Sequence, residues 1–281
     1  MNSDATLEAA EEIACADALL IGAGAGMGVD SGLPDFRGPE GFWNAYPPYR
    51  KLGLDFYKLA NPRWFQDDPE LAWGFYGHRL KLYRETLPHD GFRILQSWAS
   101  RMKVGAFVFT SNIDGHFQRA GFDSERICEV HGSVHWWQCL HNCEHGIFSA
   151  SDQAVNIDEE TMRAISPLPA CPGCGGLARP NVLMFGDWHW QDARTTEQGA
   201  RMQAWLERIP GRRLVVVECG AGNAVPTVRR FCEDTASYYG ARLIRINARE
   251  PRVPPGHIGL PLGALQALSA INSLLEARKD S

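Results

Sequence analysis

Four cysteines fall in two close pairs, Cys139-x3-Cys143 and Cys171-x2-Cys174. Two such pairs joined by a linker offer four soft ligands within tetrahedral reach of one ion, which suits structural zinc. If all four sulfurs bind, no coordination position is left for a reacting group, so the chemistry is expected elsewhere. A disulfide or redox pair is the competing use of the same residues, and a reducing compartment disfavours it. His141 and His145 beside the first pair are alternative ligands. Cys15, Cys128, Cys219 and Cys232 lack such spacing and read as small apolar fillers.

A second chemical feature is the glycine-rich stretch from Gly22 to Gly38, which ends in Asp35-Phe36-Arg37 before its last glycine. The dinucleotide fingerprint G-x-G-x-x-G fails from Gly22, Gly24 and Gly26, because Met27, Val29 and Ser31 stand where its third glycine belongs. Gly24, Gly26 and Gly28 are still expected to let backbone N–H groups approach a pyrophosphate. Further along, His131 sits in Glu-Val-His-Gly. An imidazole, with an ordinary pKa near ~6.5, suits proton transfer from a hydroxyl at neutral pH.

These residues need elements to hold them. Apolar runs end in small or polar residues at four places: Ala18 to Gly24, Ala106 to Ser111, Leu214 to Gly220 and the segment ending at Asn247. Such runs read as buried parallel strands, and the stretches between them are long enough for helical crossovers. Ligands bind outside the C-terminal edge of such a sheet. The fold class is therefore α/β, a Rossmann-like parallel sheet with a helical insertion and a small zinc-binding module. Residues 1–38, 91–133 and 181–281 form the nucleotide-binding domain expected from this pattern, 39–90 the insertion and 134–180 the cysteine module. Residues 4–16 and 69–86 read as helices, the second with Pro69 in its first turn.

Composition narrows the function classes. With 44% hydrophobic and 22% charged residues the chain is ordinary for a globular protein. A formal net charge of −5 argues against a nucleic-acid backbone as the main partner. The acidic N-terminus argues against a secretory signal, and no apolar run approaches the roughly 20 residues that span a bilayer. A cytoplasmic protein that avoids membranes is the expectation.

Several motifs follow one another in order: Gly24 to Arg37, "TSNIDGHFQRAG" from Thr110, "EVHGS" from Glu129, the cysteine quartet, and "ARPNVLMFGD" from Ala178. Together they resemble the sirtuins, the NAD-dependent protein deacylases, from about Ala18 to Leu268. The resemblance implies that Gly24, Ala25 and Gly26 line the NAD pocket, with Asp35, Phe36 and Arg37 beside them. Phe36 then covers the reacting ribose and Arg37 meets the cofactor. It implies further that Ser111, Asn112, Ile113 and Asp114 hold the nicotinamide end. Asn112 contacts the ribose or a water, and Asp114 receives the carboxamide. Gly220, Gly222, Asn247 and Gly263 fall at the adenosine end, and His131 is the catalytic histidine. Gly28 and Gly222 replace serines of the family pattern, Ser111 a glutamine, Phe117 a histidine and Arg249 an acidic residue.

The activity implied is NAD-dependent deacylation of protein lysine, releasing nicotinamide and O-acyl-ADP-ribose. Acylated protein or peptide is the partner, and NAD and zinc are the cofactors. The segment Val182 to Phe185, followed by Gly186, is expected to receive the peptide by strand addition. Tyr76-x-x-Arg79 resembles the motif of family members that remove succinyl and malonyl groups, with Glu40 as a residue that could oppose an acidic acyl group. Residues three apart on a helix share a face, and an arginine can grip a distal carboxylate. The competing reading is a helical pair that packs the insertion with Arg79 exposed. Protein ADP-ribosyltransfer and NAD hydrolysis or sensing are the rival activities.

Overall fold

The four apolar runs become four adjacent parallel strands. The structure is a computed structural model that describes residues 3–34, 42–44 and 46–278. In chain order the strands are β1 (Ala18–Ala23), β2 (Gly105–Thr110), β3 (Ile127–Glu129), β4 (Gly132–Cys139), β5 (Ile147–Ser149), β6 (Ile157–Asp158), β7 (Arg163–Ala164), β8 (Ala178–Val182), β9 (Leu214–Cys219), β10 (Arg242–Ile246) and β11 (Ile258–Leu260). The helices of ten residues or more are α1 (Ser3–Ala14), α2 (Pro69–Glu85), α3 (Asp90–Ala99), α4 (Ala193–Leu206), α5 (Thr227–Tyr239) and α6 (Ala264–Ala277).

The main sheet has the order β11-β10-β9-β1-β2-β3, and its pairings are parallel. Ala23 pairs with both Thr110 and Cys219, and Cys219 pairs with Ile246, so four strand ends stand in line. The loops leaving that edge carry the glycine motif, Asn112 to Asp114, Gly220 to Gly222, and Asn247.

Side chains of a strand alternate between its two faces, and the packing partners follow that period. Leu19, Ile21, Val108, Val215, Val217 and Ile244 pack with α1, α3 and α6 residues such as Ile13, Leu95 and Leu268. Leu20, Phe107, Val216 and Leu243 pack on the opposite side with Trp205 of α4 and Cys232 of α5. Both faces are covered, which explains why these strands read as unbroken apolar runs.

A third core joins the insertion to the cysteine-bearing segment. Trp73, Phe75 and Tyr76 of α2 lie with Tyr46, Phe65 and the β4 residue Trp137. Trp73 Nε1 donates to the Ala178 carbonyl at 2.9 Å, and its ring sits 4.8 Å from that of Trp137. α2 starts where Pro69 implies, with the Asp68 side chain accepting from Leu71 N at 3.1 Å.

Two expectations change. The segment 134–180, expected as a separate cysteine module, contributes to an antiparallel sheet of order β5-β4-β8 and to the β6-β7 pair. The strand expected at Val182 to Phe185 ends at Val182, because β8 occupies Ala178–Val182 and pairs with β4.

Candidate active site

The four sulfurs of Cys139, Cys143, Cys171 and Cys174 lie within 4.8 Å of one another. Cys139 and Cys174 are 3.6 Å apart, and Cys143 and Cys171 are 3.5 Å apart. A disulfide needs about 2.05 Å, whereas a tetrahedron of ~2.3 Å zinc–sulfur bonds has edges near 3.8 Å, so the cluster fits zinc. Neither His141 nor His145 belongs to the cluster, and the His145 ring packs instead against Phe148. Burial would raise the Cys139 thiol, yet the N–H groups of Cys143 and His141 and the neighbouring thiols bring it down to about 7. The His145 N–H would lower the Cys143 thiol, yet Cys171, burial and the other thiols push it up to about 12. A divalent ion would take all four sulfurs as thiolates and displace their protons.

The other candidate residues gather at the sheet edge. A cavity of about 430 Å³ is lined by Ala25, Ser111, Asn112, Ile113, Asp114 and His131 on one side, and by Tyr76, Arg79, Val182, Phe185 and Gly186 on the other. Residues separated by more than a hundred positions thus share one space.

Asn112 is fixed by two bonds as the chain leaves β2. Its N–H donates to Thr110 Oγ1 at 3.0 Å, and its Nδ2 donates to the Gly24 carbonyl at 2.9 Å. Asp114 is buried, with Oδ1 accepting from His116 N at 2.9 Å and its carbonyl 2.9 Å from His135 Nε2. His116 is fully buried against Phe92, where burial lowers its pKa despite the Asp114 charge. Phe117 belongs to the main core.

His131 stands in the turn between β3 and β4. The following Gly132 has φ +74, and a Cβ there would come within 2.0 Å of the Asn181 carbonyl. Only glycine lets the turn pass that close. Leu183 N donates to the His131 carbonyl at 3.0 Å, which ties this turn to the end of β8. Thr227 Oγ1, at the start of α5, is 3.5 Å from His131 Nε2. Behind the turn, Glu129 is buried in an ion pair with Arg194.

The helical wall holds Arg79 inside. It is 6% exposed, which excludes the reading with a solvent-facing arginine. Its Nε and Nη2 donate to the Tyr83 hydroxyl at 2.9 and 2.5 Å. Its guanidinium carbon lies 5.2 to 5.9 Å from the ring centres of Phe75, Tyr83, Phe56 and Tyr76. Burial pushes the Tyr76 phenol well up, so it stays protonated as a donor. Tyr83 lines the cavity and was missed from sequence. Its position seven after Tyr76 and four after Arg79 was the available signal.

Three expectations need correction or restriction. The N–H groups of Gly24, Gly26 and Gly28 are spent on the carbonyls of Cys219, Gly220 and Ala25, so they offer no donors to a pyrophosphate. A Cβ on Gly24 or Gly26 would come within 2.7 Å of Ala221 or Gly220 backbone atoms, so glycine here lets two loops abut. The segment Val182 to Phe185 is not a free strand edge throughout, because Phe185 N donates to the Ala60 carbonyl at 2.9 Å. Asp187 beyond it is buried in an ion pair with Arg179. Asp35, Phe36, Arg37 and Glu40 lie outside the described residues.

Gly24, Gly26, Gly220, Gly222, Asn247 and Gly263 do not line the cavity but stand in neighbouring loops. Asn247 Nδ2 donates to the Ala221 carbonyl at 2.9 Å, Gly222 faces Glu250, and Gly263 faces Asp30.

Known proteins match this arrangement. The Sir2 family model covers residues 24–204. "NAD-dependent protein deacylase 2" of Pyrobaculum aerophilum is 30% identical over 249 residues, 89% of this chain and 87% of the relative. "NAD-dependent protein deacylase sirtuin-5, mitochondrial" of Danio rerio is 33% identical over 191 residues, 63% of this chain and 59% of the relative. The crystal structure of a Sir2 homolog–NAD complex superimposes with a TM-score of 0.71 at 26% identity, covering 96% of this chain and 94% of that one. The chain belongs to the Sir2 family.

Proposed function

We propose that the protein removes acyl groups from protein lysine at the expense of NAD. The observation that carries this reading is the convergence of Asn112, Asp114 and His131 on one cavity at the C-terminal edge of a parallel sheet. Relatives named NAD-dependent protein deacylase support it. NAD supplies a breakable bond to nicotinamide and an ADP-ribose that accepts the acyl group. The protein's own residues bind, orient and move protons. Asp114 accepts the carboxamide N–H, Asn112 orients the ribose end, and His131 Nε2 takes a hydroxyl proton. Mostly apolar walls exclude water, which strengthens each polar contact.

The acyl-lysine enters beside Val182, Phe185 and Gly186, and its acyl end reaches α2. There Arg79 and Tyr76, supported by Tyr83, favour an acyl group ending in a carboxylate, such as succinyl or malonyl. In this reading the chain has a sheet domain, a helical insertion and a cysteine module, the last two sharing a core. Among the described residues no helix is long and apolar enough to cross a membrane. None of the eight cysteines is in a disulfide, and four of them form the metal-type cluster, which supports a reducing compartment such as the cytoplasm.

Incubation of acetyl- and succinyl-lysine peptides with the protein, with and without NAD, tests the reading. Lysine is expected to be freed only with NAD, together with nicotinamide. Deacylation that proceeds equally without NAD would sink it.

A further inference from the structure

The loop after β9 separates two spaces. Val225 faces the cavity of His131, whereas Asn223 faces an open pocket of about 800 Å³. β9, α5 and β10, with Gly220-Ala221-Gly222 in the first turn, form a βαβ unit. In such units the end of the second strand meets the adenosine ribose. A carboxylate there takes the 2′-hydroxyl, whereas a nearby arginine takes a 2′-phosphate.

Here β10 is followed by Asn247, Ala248, Arg249, Glu250, Pro251 and Arg252. Asn247 is used by the turn, with Oδ1 accepting from Arg249 N and Glu250 N at 3.0 and 2.9 Å. Glu250 Oε2 accepts from Asn223 N at 2.9 Å and lies 3.8 Å from the Arg229 guanidinium. Its charge is therefore met by the protein. Arg229 is 6% exposed and donates to the Ala221 carbonyl at 2.8 Å. Arg249 and Arg252, both exposed, line the same pocket. Three arginines and one glutamate thus line the same pocket.

We infer that this pocket receives a phosphorylated adenosine ribose, so that the dinucleotide site accepts NADP as well as NAD. The inference rests on the NAD-binding reading above. A 2′-phosphate would gain charge-assisted bonds from these guanidinium groups, whereas an acidic pocket would repel it.

Calorimetric titration of the full chain with NAD, and separately with NADP, tests it. NADP is expected to bind within about fivefold of NAD. The double variant Arg249→Glu, Arg252→Glu is expected to raise the NADP-to-NAD ratio of Kd by about tenfold or more. The neutral double variant Arg249→Met, Arg252→Met should raise it less. Both side chains are exposed, and circular dichroism checks that the fold persists. A ratio above about 50 in the unaltered protein, or one unmoved by both double variants, overturns the inference and leaves the NAD reading standing. Binding of neither nucleotide overturns both.

Discussion

At the end of the three-stranded sheet, four sulfurs stand within 4.8 Å of one another. At the edge of the parallel sheet, Asn112, Asp114 and His131 face about 430 Å³ of space. Both regions gather polar groups from distant parts of the chain. In the cysteine cluster every ligand faces the others, so an ion there is enclosed and its work is support. In the cavity the groups are held from behind, as Asn112 is by Gly24, and their other sides face open space. A closed set is built to stabilise, and an open set leaves room for a reacting molecule.

The contrast can be broken at either end, and the largest effect is expected at the cluster. Cys171→Ser should lose the metal and cost at least ~4 kcal/mol of stability, read by metal content and thermal unfolding. An unchanged melting temperature would show that the cluster supports nothing. At the cavity, His131→Ala should lower turnover on the order of 10²–10⁴-fold while the melting temperature stays where it was. If stability fell instead, the cavity would be a structural site like the cluster.

Two smaller effects sharpen the picture within the cavity. Arg79→Met should lower kcat/KM for a succinyl-lysine peptide about 10- to 100-fold, with a much smaller change for the acetyl peptide. Equal losses on both peptides would assign Arg79 to packing. Tyr83→Phe removes the hydroxyl that accepts from Arg79 and should lower the succinyl rate about 3- to 10-fold. No change in the succinyl-to-acetyl ratio would mean that Tyr83 does not position the guanidinium.

The two regions also differ in how they could be read from sequence. The cluster was legible from spacing alone, because ligands near in sequence need only a turn to converge. The central strands were legible because both faces are buried, which leaves unbroken apolar runs. β3 and β11 span three residues each and carry too little pattern to stand out. β4 went unread because Trp136 and Trp137 interrupt any simple alternation and its pairing with β8 shifts register. The order of motifs pointed to Asn112, Asp114 and His131, which line one cavity. Tyr83 was not, since its role appears only when the Arg79 side chain is seen to turn toward it. The glycines of the first loop were assigned to a phosphate, whereas two of them answer to a neighbouring loop, a contact between positions nearly two hundred residues apart.

The central claim is that the cavity transfers an acyl group from lysine to ADP-ribose with His131 as the proton acceptor. Mass spectrometry of the products formed from NAD and acyl-lysine peptides tests it most directly, with His131→Ala as control. The account predicts free lysine peptide, nicotinamide and O-acyl-ADP-ribose in equal amounts from the unaltered protein, and almost none from the variant. Absence of O-acyl-ADP-ribose with every acyl peptide, or ADP-ribose attached to protein in its place, would contradict it.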